Sequence, residues 1–293
     1  MNESIAASPE LPAGHIDEGA PAHDPALYSP IGDAFGVETL DDIGPDEIAF
    51  YKENGYLVVR RAFTPAEVAD GIAGLVHLIM GGRPDFKDIW FEAAAKEILP
   101  ALSVEQRQDA VRKLASFVRF DARLHAMAQH AKLLSVVRRL CGDREPALFQ
   151  DMALVKPPRL GREKPWHQDA AHFDFPLGTP IVGVWIALDA ATVENGCMQF
   201  LPGRHRDGPR LHFQRRDWQI CDTEMMGQRS TAAPLEPGGL LLFDALLPHG
   251  TPANNSERRR RALQFHYAPR DAMKAPPEQR LAIFGSEGKN ASC

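Results

Sequence analysis

The chain has 293 residues, of which 44% are hydrophobic and 25% are charged, the composition of a globular protein that buries a core. Its net charge of -6 and pI near 6.0 provide no basic surface field, so we expect a small-molecule partner and no nucleic acid. No segment approaches the roughly 18 apolar residues that cross a bilayer, so we expect no membrane partner, and no pattern indicates an oligomeric state.

The four cysteines carry information about the compartment. They are widely spaced and form no C-x-x-C pair, and no apolar signal segment opens the chain; they are Cys141, Cys197, Cys221 and Cys293. Thiols in this arrangement are typical of proteins kept in a reducing environment. We therefore interpret all four as reduced thiols and predict a cytoplasmic protein.

The N-terminal part of the chain predicts an arm followed by regular elements. Residues 1–40 are rich in Ala, Pro, Gly and acidic residues without a period, which indicates an extended or partly disordered arm. A short helix is predicted over Pro45–Gly55 and a strand over Tyr56–Ala62. Thr64-Pro-Ala-Glu67 has the residues of a capping box with Pro at the first helical position, so a second helix should run to about Met80.

The next segment predicts further helices, so that helical additions span residues 64–140. One helix would carry Trp90 and Phe91, and another, capped at Ser103–Gln106, would carry Val111 and Leu114. A third apolar stripe runs from Leu133 to Leu140.

After Gly142 the pattern changes to short strands separated by Gly and Pro. Such strands predict a closed or doubled antiparallel sheet over residues 143–268; the candidates are Ala147–Lys156, Pro180–Leu188, Gly196–Pro202, Gly239–Asp244 and Arg261–Tyr267. The helices are expected to pack outside this sheet, which gives a single domain over 41–270 and a tail over 271–293. Residues 206–235 show little periodicity and are predicted to form an active-site lid.

A candidate metal site lies in Trp166-His-Gln-Asp169. In a strand, His167 and Asp169 would point to one face and present a nitrogen and an oxygen to the same ion. Two His and one carboxylate form the facial triad of non-haem Fe(II) oxygenases, but an H-x-D pair alone is common in loops. Among the candidates for a third ligand, His249 in Pro248-His-Gly250 fits best, because it ends an apolar strand.

A basic run, Arg258–Arg261, follows His249 at the start of another predicted strand. The planar fork of a guanidinium matches a carboxylate bidentately, so an arginine near the metal would suit a dicarboxylate. At least two members of the run are expected to face solvent.

Several segments occur in an order that resembles the phytanoyl-CoA dioxygenase (PhyH) family of Fe(II)- and 2-oxoglutarate-dependent oxygenases. They are Trp166-His-Gln-Asp169, Trp185-Ile-Ala-Leu-Asp189, Asn195-Gly-Cys-Met-Gln-Phe-Leu-Pro-Gly-Arg-His205, Pro237-Gly-Gly239 and His249-Gly-Thr251. The similarity covers roughly residues 45–268. It implies a mainly β fold with flanking helices, a cupin-like double-stranded β-helix or jelly-roll.

The resemblance also implies roles for individual residues. His167, Asp169 and His249 would bind iron, and Arg260 would pair with the distal carboxylate of 2-oxoglutarate, although the neighbouring arginines blur the register. Thr251 stands where the family usually has Ser. Further candidates for cosubstrate contacts are Met152, Trp185 and Lys156, and Gln150 matches a position near the substrate. Two residues beside the metal motif, His172 and Phe173, are further candidates for the substrate side of the pocket, each with ordinary packing as the alternative.

The implied function is Fe(II)- and 2-oxoglutarate-dependent oxidation of a C–H bond in a small organic metabolite by O2, with release of succinate and CO2. Hydroxylation is the favoured outcome, because related halogenases replace the carboxylate that Asp169 provides. A role in natural-product tailoring is one expectation. Desaturation, epoxidation or cyclisation at the same iron are alternatives, as is a non-catalytic or 2-oxoglutarate-independent cupin-like metal-binding protein.

Overall fold

Two β-sheets pack face to face and enclose the main cavity of the protein in the computed structural model, which describes residues 14–285. The larger sheet has nine strands, in spatial order β1 His15–Ile16, β5 Ile89–Phe91, β6 Val111–Ala115, β7 Pro146–Lys156, β16 Arg260–Pro269, β9 Val182–Ala187, β14 Leu240–Asp244, β4 Tyr56–Val59 and β3 Gly36–Val37. The smaller sheet has five, β2 Pro30–Asp33, β13 Ser230–Ala233, β10 Met198–Phe200, β15 His249–Thr251 and β8 Lys164–His167. A hairpin of β11 His212–Gln214 and β12 Trp218–Ile220 lies beside them.

The core of the jelly-roll lies between the sheets. Trp185 and Phe243 from the larger sheet pack with Met198 and Phe200 from the smaller one, and all are almost fully buried. β16 is central to the larger sheet, because it pairs antiparallel with β7 on one side and β9 on the other. The predicted mainly β jelly-roll is therefore confirmed.

Helices cover the outer face of the larger sheet, as the sequence predicts. The helices of the described chain are α1 Pro45–Asn54, α2 Pro65–Ile79, α3 Ala122–Ala128, α4 Ala131–Leu140, α5 Asp222–Met225 and α6 Pro277–Phe284. Leu75 of α2 and Val137 of α4 pack in the same cluster as Phe265 of β16. The predicted capping box is present at α2, where the Glu67 carboxylate accepts from the Thr64 backbone N–H at 2.8 Å.

The prediction of helices between residues 86 and 118 is wrong. Trp90 and Phe91 lie in β5, and Val111 and Leu114 lie in β6, which pairs with β7 through Leu114 and Ala153. The apolar spacing suits either structure, and the open edge of β7 favours the strand because it offers backbone hydrogen bonds. The third predicted helix is present as α4, which buries Leu133, Val137 and Leu140.

The N-terminal arm is part of the fold from residue 14 onward. Its short strands β1, β2 and β3 pair with β5, β13 and β4, respectively. Leu27 and Tyr28 are buried, and the Leu27 carbonyl accepts from Trp166 Nε1 at 3.0 Å. Of the two alternatives predicted for the arm, residues 14–40 therefore match the extended one, and residues 1–13 lie outside the described part of the chain.

Residues 206–235 are also more regular than predicted. They contain the β11–β12 hairpin, α5 and β13, which is a strand of the smaller sheet. The tail contributes α6, and residues 286–293 lie outside the described range.

Two further observations concern membrane-spanning helices and the cysteines. Within residues 14–285, no helix is both long and apolar enough to cross a membrane. Cys141 and Cys197 are buried free thiols, whereas Cys221 is disulfide-bonded, so the expectation of a reduced thiol is wrong at that position. Cys293 lies outside the described residues.

Candidate active site

A cavity of about 310 Å³ lies between the two sheets. Both sheets contribute to its wall, through Met152 of β7, His167 of β8, His249 of β15 and Arg260 of β16. The loop after β11 closes another side. A space of this size admits a small organic molecule together with a dicarboxylate cosubstrate.

The three predicted metal ligands come together on the wall of this cavity. His167 ends β8 and His249 begins β15, and the two residues are direct partners across the antiparallel ladder. Asp169 begins a 3-10 turn, so it is not in the strand, but the extended backbone of Gln168 still brings it to the same side as His167. The ligand atoms of the three residues all lie within 4.8 Å of one another.

Hydrogen bonds to the backbone fix the tautomer of both histidines. His167 Nδ1 lies 2.8 Å from the Pro165 carbonyl, and His249 Nδ1 lies 2.9 Å from the Leu247 carbonyl. Because a carbonyl oxygen can only accept, each Nδ1 carries the proton and each Nε2 has a free lone pair. Burial, together with nearby His167, lowers the pKa of His249 to about 3, so this imidazole is neutral at pH 7 and suited to bind a metal ion.

Gln168, between the two ligands, anchors the turn. Its side-chain amide donates to the Gly208 and Leu246 carbonyls at 2.9 and 2.7 Å, and its backbone N–H donates to His212 Nε2 at 3.0 Å. His212 is fully buried. These bonds hold the Asp169 carboxylate in position before any ion binds.

Two residues that sequence reasoning did not assign contact the carboxylate ligand. His266 Nε2 lies 2.7 Å and Gln264 Nε2 lies 3.3 Å from Asp169 Oδ2. Burial alone would raise the pKa of Asp169, but the adjacent histidines, among them His266 as a hydrogen-bond donor, hold it well below its ordinary value. Strand alternation was the available signal, because Gln264 and His266 share a face of β16 with Arg260.

Two buried cations lie at another part of the wall. Arg260 of β16 is opposite Lys156 of β7 in the ladder, and both side chains are almost inaccessible to solvent. Arg260 Nε is buried without a hydrogen-bond partner within the described chain, and its guanidinium lies 5.3 Å from the centre of the Trp185 ring. Burial lowers the pKa of Arg260 to about 10, so it remains a cation at pH 7.

Lys156 adds a second donor beside this arginine. Its Nζ donates to the Arg162 carbonyl at 2.6 Å, and burial, with the charge of Arg260 next, holds its pKa well below the ordinary value. A buried guanidinium beside a buried amine, with only neutral acceptors in hydrogen-bonding contact, is costly unless a negative group joins them. A dicarboxylate such as 2-oxoglutarate fits this part of the cavity, and the His–Asp–His cluster fits a divalent cation.

The other predicted residues are placed around these two groups. Met152 and Thr251 line the cavity, whereas Trp185 lies behind Arg260 and contacts the guanidinium. Gln150, His172 and Phe173 line the cavity on the side of the metal cluster. The His172 ring lies 5.7 Å from His167, and the Phe173 ring packs edge-on against His266 at 4.8 Å.

Comparison with known proteins identifies the family. The sequence model of phytanoyl-CoA dioxygenase (PhyH) matches residues 51–262. A phytanoyl-CoA dioxygenase domain-containing protein 1 homolog of Caenorhabditis elegans is 30% identical over 63% of this chain and 68% of its own length. In other curated relatives the match covers about half of the relative, for example 48% in Danio rerio and 54% in Caenorhabditis briggsae.

Solved structures give the same fold. The carbocyclase SnoK from nogalamycin biosynthesis superposes with a TM-score of 0.64 at 22% identity, over 88% of this chain and 97% of that chain. EvdO2 from Micromonospora carbonacea var. aurantiaca, complexed with 2-oxoglutarate, superposes with a TM-score of 0.62 at 25% identity, over 83% and 98%. With its jelly-roll, its cluster of His167, Asp169 and His249, and the match over residues 51–262, this chain belongs to the phytanoyl-CoA dioxygenase family of Fe(II)- and 2-oxoglutarate-dependent oxygenases.

Proposed function

We propose that the protein oxidises a C–H bond of a small organic metabolite, most simply by hydroxylation, and converts 2-oxoglutarate to succinate and CO2. The observation that carries this proposal is the meeting of the His167–Asp169–His249 cluster with the buried, unpaired Arg260 in one cavity. Within residues 14–285 no carboxylate forms an ion pair with this guanidinium, which favours a site for an anionic cosubstrate over a metal-binding protein without 2-oxoglutarate. A role in natural-product tailoring is part of the same proposal.

Different side chains of the site would bind the metal ion and the cosubstrate. His167 and His249 offer the lone pairs of their Nε2 atoms, and Asp169 offers a carboxylate oriented by His266 and Gln264. When bound, the ferrous ion supplies the redox chemistry that couples decarboxylation of 2-oxoglutarate to oxidation of the substrate by O2. Arg260 and Lys156 would bind the distal carboxylate of the cosubstrate, with the Thr251 hydroxyl as a further donor.

Apolar side chains on the wall exclude water from the reacting groups. Met152 and Leu154 of β7 line the cavity together with Met198 of β10 and Phe173. A dry wall strengthens the attraction between the buried cations and a carboxylate, because the local dielectric constant is low. It also limits oxidation of the protein itself in the absence of substrate.

Formation of succinate tests the proposal. Purified protein with Fe(II), 2-oxoglutarate and O2 is expected to release succinate slowly without substrate and faster with a substrate. Absence of succinate from the wild-type protein under all these conditions, together with an unchanged affinity for 2-oxoglutarate in Arg260→Gln, would overturn it. The mass of the product is a separate test, since a gain of one oxygen supports hydroxylation and a loss of two hydrogens supports desaturation or cyclisation.

A further inference from the structure

The cavity wall carries more positive than negative side chains. Eight Lys or Arg residues and four Asp or Glu residues line it in the described chain. Arg260 and Lys156 are accounted for by the cosubstrate, and Asp169 by the metal. The remaining charges lie on a different part of the wall, formed by the segment after β1, β6, the start of β8 with the residues before it, and the loop between β11 and β12.

Most of these remaining cations already have partners. Asp17 accepts from Arg112 at 2.7 Å and also pairs with Arg162, and Asp217 accepts from Lys164 at 2.8 Å. Arg216 pairs with two carboxylates, Glu163 at 2.7 Å and Asp222 at 2.5 Å. The protein therefore satisfies these cations without a ligand.

Lys113 and Arg215 differ from these cations because they have no carboxylate partner in the described chain. Within residues 14–285, no carboxylate forms an ion pair with either side chain, although both line the cavity. Lys113 is partly buried on β6, and its ammonium lies 4.7 Å from the centre of the Trp90 ring. Arg215 lies exposed at the rim, as does the acidic residue Glu18.

The surroundings of Lys113 oppose its charge. Burial, followed by the charges of Lys164 and Arg112, lowers the pKa of Lys113, and the charges of Asp17 and Asp217 offset this in part. An ammonium held among other cations gains more from an incoming anion than one on an open surface, because less solvent screens the attraction.

Lys113 is also separate from the pocket for the cosubstrate. Lys113 is opposite Leu154 of β7, whereas Arg260 lies on the other side of β7 and is opposite Lys156. Two strand spacings, about 10 Å, separate β6 from β16. A single short dicarboxylate bound at Arg260 therefore leaves Lys113 available for another group.

We propose that Lys113 and Arg215 bind an anionic group, a carboxylate or a phosphate, of the molecule that is oxidised in this cavity. The inference rests on the proposed function and names the substrate class, a small organic anion. Lys113, held against Trp90 on a strand, fixes the anionic end of the substrate, and Arg215 in the rim loop closes over it. The part of the molecule away from the anion then extends toward Gln150 and Phe173 beside the metal cluster.

The first test needs no substrate and no turnover. Protein supplied with Mn(II) and saturating 2-oxoglutarate is treated with a limiting amine-acetylating reagent, and acetylation of each lysine is measured by mass spectrometry. Inorganic phosphate or benzoate is expected to abolish most labelling of Lys113 and to leave that of exposed Lys87 unchanged. Protection by one probe and not the other distinguishes a phosphate from a carboxylate. Equal labelling of Lys113 with and without both probes would overturn the proposal.

The second test uses turnover of paired compounds. Small carboxylates and phosphate monoesters are each compared with their methyl ester or free alcohol as stimulants of succinate release. An anion is expected to stimulate where its neutral counterpart does not, and Lys113→Gln should raise its KM about tenfold or more, by a larger factor than the KM for 2-oxoglutarate.

The matched variants complete this design. Lys113→Arg should restore much of the lost affinity, whereas Lys87→Gln should have no effect on it. Stimulation by neutral compounds equal to that by anions would contradict the inference and leave the proposed function intact. Absence of any succinate would instead contradict the proposed function. In that case, and also when no compound stimulates succinate release, the labelling of Lys113 decides whether the anion site exists.

Discussion

The inner and outer parts of the cavity wall are built differently. The inner wall, defined here as β8, β15 and β16 with the three predicted metal ligands and Arg260, belongs to the two jelly-roll sheets, and these four functional side chains are almost fully buried. The outer wall, defined as β6 and the β11–β12 hairpin with Lys113 and Arg215, is formed by a strand beyond β7 in the larger sheet and by a separate two-stranded sheet. Lys113 is partly buried and Arg215 is exposed. Under the proposed function, the difference would separate the residues that carry the chemistry, on the inner wall, from those that select the substrate, on the outer wall.

Substitution of a predicted metal ligand tests the role of the inner wall with the largest expected effect. Asp169→Ala removes the anionic ligand and leaves His266 and Gln264 without their carboxylate acceptor. We expect a loss of all measurable succinate formation, because two neutral imidazoles bind Fe(II) poorly without a carboxylate. Chemical denaturation should show that the variant remains folded. Retention of Fe(II)-dependent turnover by a folded Asp169→Ala variant would contradict the role of this cluster.

Arg260→Gln tests the other half of the inner wall. Loss of a buried charge partner should raise the dissociation constant for 2-oxoglutarate by about 100-fold, or roughly 3 kcal/mol. Calorimetric titration of the Mn(II)-loaded protein measures this constant. Arg258→Gln is the matched control, because Arg258 is exposed in the same basic run. An equal effect of both substitutions would show that the register of the arginine is misassigned.

Substitution of His266 tests whether a residue behind the predicted metal ligands contributes to metal affinity. We expect His266→Leu to weaken binding of Fe(II) or Mn(II) by about 10- to 100-fold, since second-layer partners orient a carboxylate ligand. His266→Gln keeps a donor and should recover part of the affinity. The exposed His125→Leu serves as control. Metal affinity followed by Mn(II) electron paramagnetic resonance separates this positioning role from a loss of folding, and an unchanged affinity in His266→Leu would exclude it.

Asp217 tests the attachment of the outer wall to the inner one. Its carboxylate accepts from Lys164 of β8 at 2.8 Å. Burial alone would raise the pKa of Asp217, but Lys164 and the Trp218 N–H lower it well below the ordinary value. A lowered pKa stabilises the folded protein above the unfolded value, about 3.9, and this stabilisation is lost as pH falls through the folded value.

The expected effect of Asp217→Asn is therefore small and depends on pH. At pH 7 the substitution should lower the free energy of unfolding by about 1 kcal/mol, and the difference from wild type should narrow below about pH 4. Urea denaturation at both pH values measures it. Asp207→Asn, which removes an exposed carboxylate near Arg204, should change stability by less. A deficit that stays constant with pH would contradict an ionic attachment.

Where a residue pattern is tied directly to chemistry, the sequence located residues that lie together in the structure, and their roles stay predictions. The H-x-D pair, the histidine after an apolar strand and the arginine that follows it all face one cavity. Long strands such as β7, and the capped helix α2, were also correctly predicted, because their local signals agree with their tertiary contacts.

The wrong or missing predictions have physical causes. β5 and β6 form because they complete the open edge beside β7, and their apolar spacing alone does not distinguish them from helices. His266 was left without a role, because a residue that contacts Asp169 from β16 is far from it in the sequence. Lys113 was not noticed, since a single lysine in a segment predicted as helix has no motif around it.

The most direct test of the account is the absorption spectrum of the Fe(II)-loaded protein on anaerobic addition of 2-oxoglutarate. A visible metal-to-ligand charge-transfer band is expected in the wild type, because keto acid and iron would meet at the inner wall. The band should require far more 2-oxoglutarate in Arg260→Gln and be absent in His249→Ala. No band in the wild type, or the same titration in wild type and Arg260→Gln, would contradict the claim that the inner wall holds iron and 2-oxoglutarate together.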